Sequence, residues 1–224
     1  MKKNKRVLII AAHPDDEVLG CGATVAKLVK KGYEAYTLIL SQGITSRNTQ
    51  TITKEINNLN TEIKKANSAM GVKKVFIEDF PDNRFDSVDL LDIIKAINIV
   101  KEEIQPTIIF THYEKDLNID HQITYKAAIT ATRPMQDESV KEIYSFEILS
   151  STEWNYPLSF SPDTFFDVKS TLKVKIKAIK KYKSELRNFP HPRSTQGIEL
   201  NAKYQGMRVG KKYVEAFKSI RVIK

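Results

Sequence analysis

Along the first 150 residues, short apolar runs alternate with longer stretches whose apolar side chains recur every three or four positions. The runs are RVLIIAA (6–12), EAYTLIL (34–40), KVFIE (74–78), TIIFTH (107–112) and EIYSFEIL (142–149), and each predicts a strand. Residues 18–32, 46–71, 86–104 and 121–132 carry the helical period. Gly32 and Gly71 stand where C-caps belong, Asp86 or Ser87 is placed to cap the third helix, and Pro106 ends it. VLII and TIIF are apolar at every position, which suits strands covered on both sides. The alternation therefore predicts an α/β fold. Its core is a Rossmann-like parallel sheet ordered 3-2-1-4-5, with helices on both faces.

After residue 150 the periodicity weakens. SSTEWNYPLSFSPD (150–163) reads as a long loop. KSTLKVKIKAIKKYK (169–183) fits two periods. Leu172, Val174, Ile176 and Ala178 alternate as in a strand, whereas Leu172, Ile176 and Ile179 form a helical stripe, and the length favours helix. The chain is read as one domain, with a core over 1–150 and an α/β extension over 151–224 covering the crevice.

Composition narrows the class. The chain has 224 residues, 41% hydrophobic and 28% charged, enough for one substantial core. Cys21 is the sole cysteine, so no disulfide forms within the chain and a reducing, cytoplasmic setting is expected. No apolar run reaches the ~20 residues of a membrane span. MKKNKRVLIIAA mimics the start of an export signal, but HPDDE follows where a small-residue cleavage site belongs, and no export is expected. The net charge of +9 is uneven: residues 1–150 carry 20 Lys and Arg against 21 Asp and Glu, and 151–224 carry 16 against 6. That basic third suits an anionic small molecule or membrane surface, or simply a solvated helix face. It lacks the interleaved aromatics of a single-strand nucleic-acid platform, and no nucleic-acid partner is expected.

The chemistry gathers at two strand ends. HPDDE (13–17) closes the first strand and THYEKDLNIDHQ (111–122) closes the fourth. In the expected strand order these ends are neighbours at the point where ligands of open parallel sheets bind. Three of the four histidines, His13, His112 and His121, lie there with Asp15, Asp16, Asp116 and Asp120. A divalent cation would offset carboxylates that otherwise repel each other. Catalytic zinc takes three His or carboxylate ligands and keeps one position open. His13 and Asp16 can point into one site from the turn, with His121 as a third ligand. Asp16 or Glu17 can instead cap the following helix. Gly20-Cys21-Gly22 suggests a dinucleotide turn, but Val25 stands where the third glycine belongs and SQG ends the second strand without an acid. The glycines then serve close packing or backbone approach to a ligand.

HPDDEVLGCG with the Asp120-His121 pair resembles the PIG-L/LmbE-like family of metal-dependent N-deacetylases. The resemblance covers about residues 1–150. YSFEILSSTEW, YKSELRNFPHPRS and VGKKYVEAF resemble a branch associated with bacterial surface-sugar pathways. The resemblance implies removal of an acetyl group from an N-acetyl amino sugar, and the basic last third would suit a nucleotide-linked one. It also implies zinc on His13, Asp16 and His121, with Asp15 as general base; Fe2+ or Mn2+ would suit the same ligands. Many relatives carry HPDH in the second motif, where this chain has Asn118-Ile119-Asp120-His121. Asn118 can donate a hydrogen bond to substrate but no proton. The missing acid is then Asp15 itself, His112, or His191 from FPHPRS, and we favour His191. Asp120 is assigned to orienting a neighbour.

Arg193 is a candidate phosphate or sugar contact, or one half of a salt bridge. Trp154 and Tyr156 are candidate sugar-stacking rings, and Gln42 and Thr111 lesser pocket candidates. A metal-dependent phosphoesterase and a non-catalytic sugar- or nucleotide-binding relative stay open as alternatives, as does a homo-oligomeric state.

Overall fold

The computed structural model of the chain describes residues 5–43, 52–157 and 160–224. The first strand, β1 (Arg6–Ala11), is followed by α1 (Asp16–Lys30), β2 (Glu34–Ile39), α2 (Ile52–Met70) and β3 (Val72–Ile77). Next come α3 (Leu90–Ile104), β4 (Ile108–His112), α4 (Ile119–Ala131) and β5 (Glu142–Phe146). The last third contributes β6 (Thr164–Asp167), α5 (Leu172–Ile179), α6 (Thr195–Met207) and β7 (Val214–Val222). The sheet runs β3-β2-β1-β4-β5-β7-β6. The first five strands are parallel in the expected order, and β7 joins antiparallel to both β5 and β6.

The run VLII is apolar throughout because each face of β1 meets a different core. Val7 and Ile9 pack with Val18, Val25 and Ile63 of α1 and α2. Leu8 and Ile10 pack with Ile93, Ile97 and Ala127 of α3 and α4. All four are fully buried. Each contributes on the order of 1.5–3 kcal/mol by leaving water.

Gly32 ends α1 as expected. It adopts φ 84°, and the Tyr33 N–H reaches the Leu28 carbonyl while the Gly32 N–H reaches Val29, a Schellman motif. Gly71 is likewise left-handed after α2. Gly20 and Gly22 turn out to lie inside α1. A Cβ at Gly20 would sit 2.4 Å from the Phe146 ring, so this glycine lets α1 lie directly on β5.

Several expected boundaries shift. α1 begins at Asp16, two residues early, because the turn at Asp15 already starts it. The expected start of α2 at residue 46 falls outside the described residues. Asp86 and Ser87 do not cap α3. They belong to a separate 3-10 turn, Phe85–Ser87, whose Phe85 N–H is captured by an Asp120 carboxylate oxygen at 2.9 Å, and α3 starts only at Leu90. The segment 169–183 is helical but contributes only the eight residues of α5. α6, β6 and β7 were not anticipated. No described helix is long and apolar enough to cross a membrane.

α1 and β7 are pinned together by a buried ion pair. Lys175 Nζ lies 2.6 Å from Glu215 and 2.6 Å from the Leu19 carbonyl, while the Glu215 carboxylate accepts the Ala23 and Thr24 N–H groups. The Leu19 carbonyl and the Ala23 N–H are groups that an uninterrupted helix pairs with each other. Side chains from α5 and β7 thus bond directly to the backbone of α1.

Candidate metal centre and active-site cleft

Two helix starts build the centre. At the first, Asp15 takes a left-handed conformation, φ 95°, and its carbonyl accepts the Val18 and Leu19 N–H groups. This turn carries Asp15 and Asp16 from the end of β1 into the crevice. An aspartate tolerates the conformation better than most residues, yet it costs on the order of 1–3 kcal/mol. At the second, Asn118 caps α4: its Oδ1 accepts the Asp120 N–H at 2.8 Å. That cap sets Asp120 and His121 in the first turn.

The two starts meet. His13 Nδ1 is 3.4 Å from Asp16 Oδ2, His121 Nε2 is 3.3 Å from the same oxygen, and the two imidazole nitrogens are 3.3 Å apart. Metal–ligand bonds of about 2.0–2.1 Å in a tetrahedron require donor–donor separations of about 3.3–3.4 Å. The donor set and its spacing therefore fit a divalent ion, and the three residues form a group able to hold one.

Each imidazole is oriented from behind by a carboxylate. His121 Nδ1 lies 3.0 Å from Asp116 Oδ1, and His13 Nε2 lies 2.9 Å from Asp120 Oδ2. Such partners fix the ring and raise its basicity as a ligand. Asp116 is itself held by the Ser151 and Thr152 hydroxyls. Burial opposes charge on His13, but the Asp120 and Asp16 hydrogen bonds prevail and push its pKa to about 10. Burial likewise opposes charge on His121, while Asp16 and Asp116 raise it to about 9. Asp16 is driven well below the carboxylate range, against burial, by His121 and His112. The cluster is thus tuned to hold positive charge between its carboxylates.

Asp15 behaves in the opposite way. Burial raises its pKa well above the ordinary value, and the Arg193 charge opposes this in part. Arg193 Nη1 donates to Asp15 Oδ2 at 3.1 Å, and its Nε donates to the Ser150 hydroxyl at 2.7 Å. Beneath the turn, Glu17 accepts the Asp15 N–H, the Tyr182 hydroxyl and an Asn67 amide N–H. Glu17 therefore supports the turn from inside, and burial raises its pKa to about 7.

These residues surround a cleft of about 290 Å³ whose walls include His13, Asp15, Asp16, Asn118, His121 and Arg193. Asp82 and Asn83 from the loop after β3, and Glu185 from the last third, also line it. The sequence had not singled these out. Asp82-Asn83 sits in FPDNRF, a turn-forming stretch, but nothing local places it at the crevice.

Other sequence candidates stand elsewhere. His112 is fully buried, its Nε2 accepts the Ala12 N–H at 2.9 Å, and its ring stacks on His121 at 4.0 Å. It backs the His121 ring and does not line the cleft. Burial, with the charge of His121, lowers its pKa well below the usual value. His191 does not line the cleft; its Nδ1 accepts the Arg193 N–H at 3.1 Å, and Trp154 meets its ring edge-on at 5.8 Å. Trp154, Gln42 and Thr111 are also absent from the walls, and Tyr156 is largely exposed.

Comparison with known proteins places the sequence and the fold. Residues 8–132 match the family described as PIG-L: GlcNAc-PI de-N-acetylase. The uncharacterized deacetylase YaiS of Escherichia coli is 32% identical over 188 residues, covering 81% of this chain and 92% of that protein. A probable N-acetyl-alpha-D-glucosaminyl L-malate deacetylase 2 of Bacillus cereus is 25% identical over 187 residues, 81% of this chain and 84% of that protein. Among solved structures, the N,N'-diacetylchitobiose deacetylase of Pyrococcus horikoshii superposes with a TM-score of 0.77 at 21% identity, covering 97% of this chain and 84% of that one. With the motif at the end of β1, the helix start that completes it and more than half of the sequence matched, the chain belongs to the PIG-L family of de-N-acetylases.

Proposed function

We propose that the protein is a zinc-dependent N-deacetylase that removes acetate from an N-acetyl amino sugar, free or nucleotide-linked. The observation that carries this reading is the triangle of His13, Asp16 and His121 beside the buried carboxyl of Asp15. A divalent ion on those three ligands would supply Lewis acidity, polarising the acetamide carbonyl and making a water more acidic. Zinc fits the mixed His and carboxylate set, and Fe2+ or Mn2+ would suit it too.

The chain's own residues supply the proton transfers. Asp15 takes a proton from the attacking water as the oxygen bonds to the acetyl carbon. The same carboxyl then hands that proton to the sugar nitrogen as the C–N bond breaks, leaving a free amine and acetic acid, which ionises to acetate. Burial and Arg193 act on Asp15 in opposite senses, which suits a group that both accepts and returns a proton. Arg193 is committed to Asp15, Ser150 and Glu185, so it aims the base and does not grip a substrate phosphate. His191 holds the backbone of Arg193, and its part is to position that arginine. Asn118 lines the cleft with its carbonyl engaged as a cap and its amide on Asn83. Asp120 orients His13.

Asp82 and Asp120 around His13 Nε2 form a second possible ligand group, which a two-metal phosphoesterase would need. His13 would then serve both ions through one ring, so deacetylation is the better reading. The test is acetate release from a panel of free and nucleotide-linked N-acetyl sugars, with and without chelator. Release from at least one sugar, lost on chelation and restored by zinc, is expected. No acetate from any sugar, with phosphate released from a phosphoester, would reverse the assignment. The lone buried cysteine fits a reducing compartment, and we place the enzyme in the cytoplasm.

A further inference from the structure

A second groove, of about 470 Å³, runs along α5. Its floor is apolar: Leu172 is buried, and Ile176 and Tyr213 are half-buried. Its rim is Lys169, Lys173, Lys177, Lys180 and Lys181, of which all but Lys181 are exposed. Among the described residues none of these five ammonium groups has a carboxylate partner. The acid in the lining, Glu199, is already held by Lys203 at 3.0 Å and by the Tyr213 hydroxyl at 3.1 Å. Lys212 Nζ stands 5.5 Å from the Tyr213 ring centre and extends the positive rim.

Lys173 and Lys177, four apart on α5, repel one another. Lys175, on the other side of the same helix, shows what the fold itself uses: it is buried and paired with Glu215. Lys177 in the last turn and Lys180 at the C-cap favour the helix dipole, but among the described residues no rim lysine has a carboxylate partner as Lys175 does. Their charge calls for an anion, and the floor calls for hydrocarbon. Inorganic polyphosphate or duplex nucleic acid would leave the floor wet. Single-stranded nucleic acid needs a platform of rings, and among the described residues Tyr213 is the one ring in this lining.

We propose that this groove docks the protein on an anionic phospholipid bilayer. The ammonium groups meet headgroup phosphates, and one lipid tail raised from the bilayer lies in the groove over Ile176 and Tyr213. The chain after α5 runs straight to Tyr182, whose hydroxyl supports Glu17, and to Glu185 in the cleft wall. One segment thus joins the docking face to the catalytic turn.

The experiment is co-sedimentation of the full chain with vesicles of phosphatidylglycerol and phosphatidylcholine, against vesicles of phosphatidylcholine alone. Binding at least about tenfold stronger to the anionic vesicles, weakening with added salt, is expected. Lys173→Glu, Lys177→Glu and Lys180→Glu together should remove at least about tenfold of it while circular dichroism and melting stay unchanged. Ile176→Gln should weaken vesicle binding and leave binding to inorganic polyphosphate as it was. Equal binding to neutral and anionic vesicles, undiminished binding by the triple variant, or an Ile176→Gln variant that binds vesicles normally would each overturn the proposal. So would tight binding of polyphosphate or DNA with none to vesicles.

Discussion

Asp15 and Asp16 are adjacent carboxylates with opposite tuning, and the reason is which partners each meets. Asp16 sits among imidazoles and is held ionised; Asp15 is buried against a single guanidinium and is pushed toward its protonated form. Asp15→Asn should therefore keep the metal but lower acetate release by about 10²–10⁴-fold. Steady-state kinetics with metal analysis checks this, and near-normal turnover would remove Asp15 as the base. Asp116 does not line the cleft, yet its carboxylate stands 3.0 Å behind the His121 ring. Asp116→Asn should weaken metal affinity by about 10–100-fold, read by competition with a chelator. His191→Ala should slow turnover only through Arg193, by less than Asp15→Asn does. A loss as large as that of Asp15→Asn would return His191 to the role of general acid.

Among the elements, α1 carries the most constraint. Its first turn presents the carboxylates, Gly20 lets it lie on Phe146, and the Lys175–Glu215 pair enters its middle. Gly20→Ala forces the helix off β5 and should cost about 1–3 kcal/mol. Pairing it with Phe146→Leu should recover part of that loss in a urea titration, because the clash is with the ring. Lys175→Met leaves Glu215 charged and buried with its two N–H donors. It should cost about 3 kcal/mol or more, whereas Lys175→Met with Glu215→Leu should cost less. If the double variant is the less stable, the pair stabilises α1 outright.

For the whole molecule, the centre links the ends of β1 and β4, so pH and metal act on global stability. His13 and His121 have folded pKa values of about 10 and 9, above the unfolded value near 6.5. Their contribution is complete below pH 6.5 and is lost as pH rises through 9 and 10. Glu17, raised to about 7, has the same sign: its contribution fades as pH climbs from its unfolded value through 7. Chelated protein should therefore melt at lower temperature at pH 9.5 than at pH 6.5. Zinc should reverse this at the alkaline end, since binding no longer competes with protons on the two rings. A melting profile in chelator that is flat or rises across that range would contradict the tuning described.

Local pattern alone determined a good part of this protein. The five parallel strands, their helices, the 3-2-1-4-5 order and the meeting of HPDDE with the DH pair all follow from periodicities and from one topological rule. The strands and helices depend on neighbours within a dozen residues, and the topological rule then brings together motifs about a hundred residues apart. Tertiary structure decided the rest. Whether His112 lay in the cleft or the core, which carboxylate Arg193 met, and where α6, β6 and β7 fell were set by packing between segments 35 to 192 residues apart, as in Asp120 on Phe85 or Glu215 on Ala23. A polar side chain's role depends on which partner desolvates and pairs it, and that partner is chosen only when the sheet closes.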